Sequence, residues 1–183
     1  METLYYSRVE SPVGPLAIGV SQTGLVALQF DRKHRFPPAD TRQTTWVESS
    51  EPTAEWRSQL EEYFRGERRR FTLPLDLRGT DFQKRCWQAL LEIPYGETRT
   101  YADQARAIGR PQAFRAVGTA NHDNPIAIVV PCHRVLASNG SLCGYGGGLD
   151  VKQKLLELEG ARTASFQSSV PSSEPRAPSR RKH

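Results

Sequence analysis

The apolar residues of this chain change their period once, and that change limits what it can fold into. Within residues 3 to 30, three short segments rich in β-formers, "TLYYSRV", "LAIGVS" and "LVALQF", are separated by "SPVGP" and "QTG". Those separators carry the Gly and Pro of turns, so the spacing predicts a meander or hairpin sheet. From Thr53 the spacing is helical: Trp56, Leu60 and Tyr63/Phe64 recur on one face, and Gly66 stops the run. Strands gathered first and helices afterwards make an α+β protein. Residues 31 to 50, polar and proline-bearing, read as loop, and "FTLPLDL" as an extended exit. Residues 1–78 are thus expected to form a small N-terminal α/β domain with a short antiparallel sheet.

The second half is punctuated more sharply. "TDFQ" at residues 80 to 83 fits a capping box, with Thr80 and Gln83 each satisfying the other's backbone. A helix then presents Phe82, Trp87, Leu90 and Leu91 until Pro94 and Gly96 end it. Thr100 caps a second helix, Tyr101 to Ile108, stopped by Gly109. Pro111 suits the first turn of a third, "PQAFRAVGTAN". Two short helices joined by Gly109 and Arg110 form a helix-turn-helix. "SNGSLCGYGGG" reads as a turn and glycine-rich loop, and "DVKQKLLELEG" as a final amphipathic helix closed by Gly160. Residues 79–160 form the second domain. Residues 161–183, rich in Ser, Pro and Arg, are expected to be a disordered basic tail.

Charge is uneven along the chain. The tail after Gly160 takes five of the 25 basic residues and only Glu174 of the 20 acidic ones, which leaves the rest almost neutral. Between residues 99 and 134, however, Arg99, Arg106, Arg110, Arg115 and Arg134 face only Asp103 and Asp123. A local excess of this kind suits a phosphate-facing surface. No 18-residue apolar stretch or export signal is visible, so no membrane contact is expected. Three cysteines, Cys86, Cys132 and Cys143, without C-x-x-C spacing argue against a disulfide framework or a zinc site and for a reducing cytoplasm. The four histidines are scattered, and no metal is expected.

The chemistry concentrates at "IAIVVPCHRV", residues 126 to 135. It reads first as a buried strand, yet Pro131 ends the apolar run and Cys132, His133 and Arg134 follow at once. Cys132 is either a small core residue or a nucleophile. Adjacent side chains diverge on helix and strand alike, so a direct thiol–imidazole bond is awkward and a bridging water easier. A carboxylate on the last helix would fix the imidazole, and such a Cys–His–acid relay would favour thiolate. On the third helix Ala113, Ala116 and Ala120, with Gly118 close by, surround Arg115; small residues there admit either a packed helix or a narrow groove.

At "PCHRV", "TYADQARAIGRPQAFRAVGTANHDNP" and "GYGGG" the chain closely resembles the O6-alkylguanine-DNA alkyltransferases, strongly over residues 80 to 160 and more weakly through "SPVGPLAIG". The resemblance implies a winged helix-turn-helix-like second domain that carries both the DNA contacts and the active site. It also implies a single-turnover repair protein without a cofactor or an obligate protein partner, a monomer acting on alkylated bases in duplex DNA from the minor groove. Cys132 would take the alkyl group from guanine O6, and from thymine O4 as well. His133 would be the water-mediated base, Glu159 its carboxylate partner, and Asn124 the brace of the turn. Tyr101 would crowd the phosphate and protonate guanine N3, and Arg115 would fill the gap left by a flipped nucleotide. Ala113, Ala116 and Gly118 would face the groove. Tyr145 and Gly146 would wall the pocket, and the backbone around Cys132 and Val135 would read the guanine edge.

Members often carry serine or alanine where this chain has Gly146, which is read either as a tight turn needing positive φ or as a roomier pocket edge. Binding-only relatives lack the acceptor cysteine, which is present here. A thiol-based regulator would carry a ligand or dimerisation element, and a cysteine hydrolase a directly bonded histidine; neither is evident.

Overall fold

The protein is described by a computed structural model over residues 1–162, so the tail expected to be disordered falls, from residue 163, outside the described residues. Strands β1 (Glu2–Val9), β2 (Leu16–Val20) and β3 (Leu25–Phe30) form the antiparallel meander that the turn residues predict. A fourth strand corrects the reading of residues 31 to 50 as loop. β4 (Thr44–Glu48) adds to the edge in parallel with β1, giving the order β3-β2-β1-β4. Its anchor is Trp46, whose ring lies where a Cβ on Gly19 would come within 2.8 Å. Trp46 meets Phe36 edge-on at 4.9 Å, and the two cover one face of the sheet with Tyr6 and Val26.

Helix α1 (Ala54–Phe64) packs Trp56, Leu60 and Tyr63 against the other face. That core does not stop at the first domain: Leu16, Ile18 and Leu28 share it with Trp87, Leu90, Ile126, Val130 and Leu155. "FTLPLDL" makes only an isolated bridge, Leu75 to Leu25, rather than a strand.

In the second half, α2 (Asp81–Leu91) carries both arms of its capping box. So does α3 (Tyr101–Ala107), where Thr100 and Asp103 cap reciprocally and the helix ends one residue earlier than its spacing predicts. α4 (Phe114–His122) begins three residues later than Pro111 suggested, because residues 111–113 are spent in a turn closed by Ala113 N–H to Arg110 O at 2.8 Å. Gln104 and Asn121 exchange two buried amide hydrogen bonds, 2.9 and 2.7 Å, which lock α3 to α4. Ala120 does not share the exposed face of α4. It is 1% exposed, packs with Cys86, Ala105 and Val117, and accepts from Trp87 Nε1 at 2.8 Å. The small-residue face therefore reduces to Ala113, Ala116 and Gly118.

β5 (Arg99–Thr100) and β6 (Val135–Leu136) form a two-residue parallel pair, and α5 (Leu149–Leu158) closes the described chain. Among the described residues no helix is long and apolar enough to cross a membrane, and no cluster of His, Cys, Asp and Glu could hold a metal ion.

Candidate active site

The apolar run before Pro131 is not a strand. Leu28 N–H donates to Pro125 O and Ala127 N–H returns a bond to Leu28 O, both 2.9 Å, so a single bridge ties the run to β3. It then coils tightly, with Val130 N–H on Ile126 O at 3.0 Å and Ile128 at φ 69°. A β-branched residue in that region is strained, and strain of this kind gathers at functional sites. The coil delivers Cys132 to the start of a one-turn 3₁₀ helix, Cys132–Arg134.

Asn124 holds this coil from inside. Its Nδ2 donates to Val130 O at 2.8 Å and to Cys132 Sγ at 3.2 Å, while its Oδ1 accepts from Ile126 N–H at 3.0 Å. Burial pushes the Cys132 thiol up, and the Asn124 amide and the charge of Lys152 oppose that only in part. That direction favours the thiol over the thiolate.

His133 is fully buried. Its Nε2–H donates to Glu159 Oε1 at 2.8 Å, which leaves Nδ1 as the bare lone pair. Burial outweighs Glu159 and holds the imidazole below its usual 6.5, so it is neutral and able to accept a proton. Glu159 also accepts from Arg134 Nε at 2.8 Å, from the other arm of that guanidinium at 3.0 Å, and from Tyr63 Oη at 2.7 Å. Burial alone would raise its carboxyl. The His133 and Arg134 hydrogen bonds overcome it and keep Glu159 ionised far below the carboxylate range.

Three of these partners escape a reading along the sequence. Arg134 looked like part of a basic surface, and Tyr63 like an ordinary core aromatic of the first domain. The third is Lys152, wholly buried, whose Nζ donates to Val135 O at 2.6 Å and Cys143 O at 2.8 Å. It does carry a signal, since a lysine interrupts the apolar i, i+3, i+4 row of α5. Val135, part of the backbone expected to read the guanine edge, has a buried side chain and a carbonyl that accepts from Lys152 Nζ.

Two cavities meet at Cys132, Tyr145 and Gly146. One, about 60 Å³, is lined also by Tyr101, Gly118 and His122; the other, about 360 Å³, reaches Leu28, Phe30, Asn124 and Ala127. Tyr101 is half-buried, and burial, then Cys143, push its hydroxyl up, so it remains a proton donor. Gly146 does not take positive φ, and a Cβ there would meet nothing within 4 Å, so the backbone does not require glycine at this position. Arg115 is exposed on α4, its guanidinium 5.9 Å over the ring of Phe114. Phe114 is itself 44% exposed, an aromatic on the outer face of α4 that helical spacing gave no reason to single out.

This geometry has relatives. The profile of the 6-O-methylguanine DNA methyltransferase DNA-binding domain matches residues 81–161, and that of the same family's ribonuclease-like domain residues 4–77. A methylated-DNA–protein-cysteine methyltransferase of Methanosarcina barkeri is 51% identical over 158 residues, spanning 85% of this chain and 97% of its own. The crystal structure of Mycobacterium tuberculosis O6-methylguanine methyltransferase superposes with a TM-score of 0.77 at 45% identity, covering 93% of this chain and 96% of that one. Mycobacterium tuberculosis OGT in complex with DNA gives 0.73 at 44% identity, covering 90% and 97%. With both halves matched in order and the Cys132 turn intact, the chain belongs to the 6-O-methylguanine DNA methyltransferase family.

Proposed function

We propose that this protein repairs DNA as a methylated-DNA–protein-cysteine methyltransferase, moving the alkyl group of O6-alkylguanine, and of O4-alkylthymine, to Cys132. The observation that carries the reading is a cysteine lining a cavity, followed directly in the chain by a buried imidazole that is hydrogen-bonded to an ionised, fully bonded Glu159. A thiol raised by burial is inert until deprotonated, and His133 is the neutral base closest in sequence. A water carries the proton, since no hydrogen bond joins the sulfur to the ring.

The thiolate attacks the carbon on O6 in line, the carbon–oxygen bond breaks, and the electrons pass into the purine. Tyr101, kept protonated, supplies a proton at N3 so that guanine departs neutral. The alkylated carbon is out of reach inside a duplex, so the nucleotide must swing out at a cost of a few kcal/mol. Arg115, exposed on α4, takes its place in the stack. Ala113, Ala116 and Gly118 let that helix approach a minor groove, and contacts to phosphate and groove shape leave repair independent of sequence. The chain acts as a monomer without a cofactor.

A thioether is not hydrolysed, so each molecule acts once. With excess duplex carrying O6-methylguanine, repaired guanine is expected to plateau at one equivalent of protein, and Cys132→Ala to repair none while still binding the duplex. Turnover beyond one equivalent contradicts the mechanism; tight lesion binding without repair by the unaltered protein makes it a binder instead.

A further inference from the structure

Among the described residues three buried side-chain nitrogen or oxygen atoms lack a hydrogen-bond partner, and two of them are His133 Nδ1, on the residue that follows Cys132, and Tyr145 Oη, on a residue that lines both cavities with Cys132. Leaving such a group unpaired costs about 1–3 kcal/mol, so two in one site call for a shared explanation. The two rings are neighbours, their centroids 6.5 Å apart and their planes at 76°, yet no hydrogen bond joins them directly. Tyr145 also lines both cavities at Cys132. Burial, followed by Cys132 and Glu159, pushes its hydroxyl well up, so it stays a donor.

We infer that Tyr145 Oη is the third anchor of the water that links Cys132 to His133, which makes Tyr145 a positioning residue for proton removal. The inference rests on the relay proposed above. Nε2 carries the imidazole proton because Glu159 accepts from it, so Nδ1 offers a lone pair. A water that donates one hydrogen to Nδ1 keeps its lone pairs for the S–H of Cys132 and the O–H of Tyr145. Three hydrogen bonds are the usual complement of a buried water. In the step, the S–H bond breaks and its proton joins the water as the water's own hydrogen passes to Nδ1. Thiolate and imidazolium form, the water is restored, and the phenol proton is not consumed. Without the phenol, a water held only by a weak thiol donor and one ring nitrogen is free to swing out of line.

The phenol is itself held from the first domain. Phe30 of β3 meets Tyr145 edge-on at 5.7 Å, and Gly147 leaves room for that ring, since a Cβ there would come within 2.7 Å of it. The sheet thus sets where the hydroxyl points.

The test is Tyr145→Phe, which keeps the ring and removes only Oη. Single-turnover transfer from an O6-methylguanine duplex is expected to slow on the order of tenfold, a fraction of a full general-base contribution. The pH midpoint of iodoacetamide labelling at Cys132, read on its peptide, should rise, and duplex affinity should stay unchanged. In a His133→Asn background the same change should slow transfer no further, and 4-aminophenylalanine at position 145, which restores a donor, should recover the rate. An equal loss in both backgrounds places the hydroxyl outside the relay and overturns the inference. So does normal transfer by Tyr145→Phe when the unaltered protein is active. A wild-type chain that takes no methyl group overturns the relay and this role together.

Discussion

Glu159→Gln is expected to slow alkyl transfer by about 10²-fold or more, the range a positioned general base supplies, while leaving duplex affinity unchanged. The neutral amide no longer stabilises the imidazolium that forms when His133 takes the proton, and it leaves Arg134 buried without its counter-charge. Glu159 is 5% exposed at the far end of the relay from the cavity, so DNA contacts are not disturbed. Single-turnover rates measured well below the variant's melting temperature, beside a duplex titration, separate the two effects. Unaltered transfer removes Glu159 from the mechanism.

The same pair sets how the fold responds to acid. His133 is held below 6.5, so the unfolded chain binds its proton first and stability begins to fall as pH drops below about 6.5. Glu159, depressed from 4.5, adds a second loss as pH falls from about 4.5 toward its far lower folded value. Melting temperature against pH should therefore decline in two stages, and Glu159→Gln should shrink the lower one, to which Asp31, Asp76 and Asp103, also lowered by their partners, contribute the rest.

Arg134→Met is expected to cost about 3–5 kcal/mol of stability, because it leaves a buried carboxylate without its cation. The guanidinium also donates to Ile93 O at 2.6 Å, tying the Cys132 turn to the end of α2. Denaturant unfolding measures the loss. A cost below about 1 kcal/mol, the level of a surface pair, would show that His133 and Tyr63 suffice to hold Glu159.

What could be read from the sequence was mostly local. The Thr80–Gln83 box, the cap at Thr100 and the closing helix are decided within four residues of themselves, and all appear. β4 was missed because its reason lies 27 residues away, in the space Gly19 leaves for Trp46. The run from Ile126 to Val130 has strand-like residues but sits where only one bridge to β3 is available, so the backbone coils. Ala120 kept its helical phase but turned inward to Trp87, which spacing alone does not decide. At the site, Cys132 and His133 stand out as neighbours, whereas Glu159 needed the family likeness to be singled out. Arg134, Tyr63 and Lys152 became partners of the site only through folding, from three separate elements.

The central claim is that Cys132 itself takes the alkyl group, and the most direct measurement is the intact mass of the protein after incubation with duplex DNA containing O6-methylguanine. A single gain of about 14 mass units, the signature of one covalent methyl transfer, is predicted. It should lie on the Cys132 peptide and be absent in Cys132→Ala. An unchanged mass, or the same gain carried on Cys143 or Cys86, would contradict it.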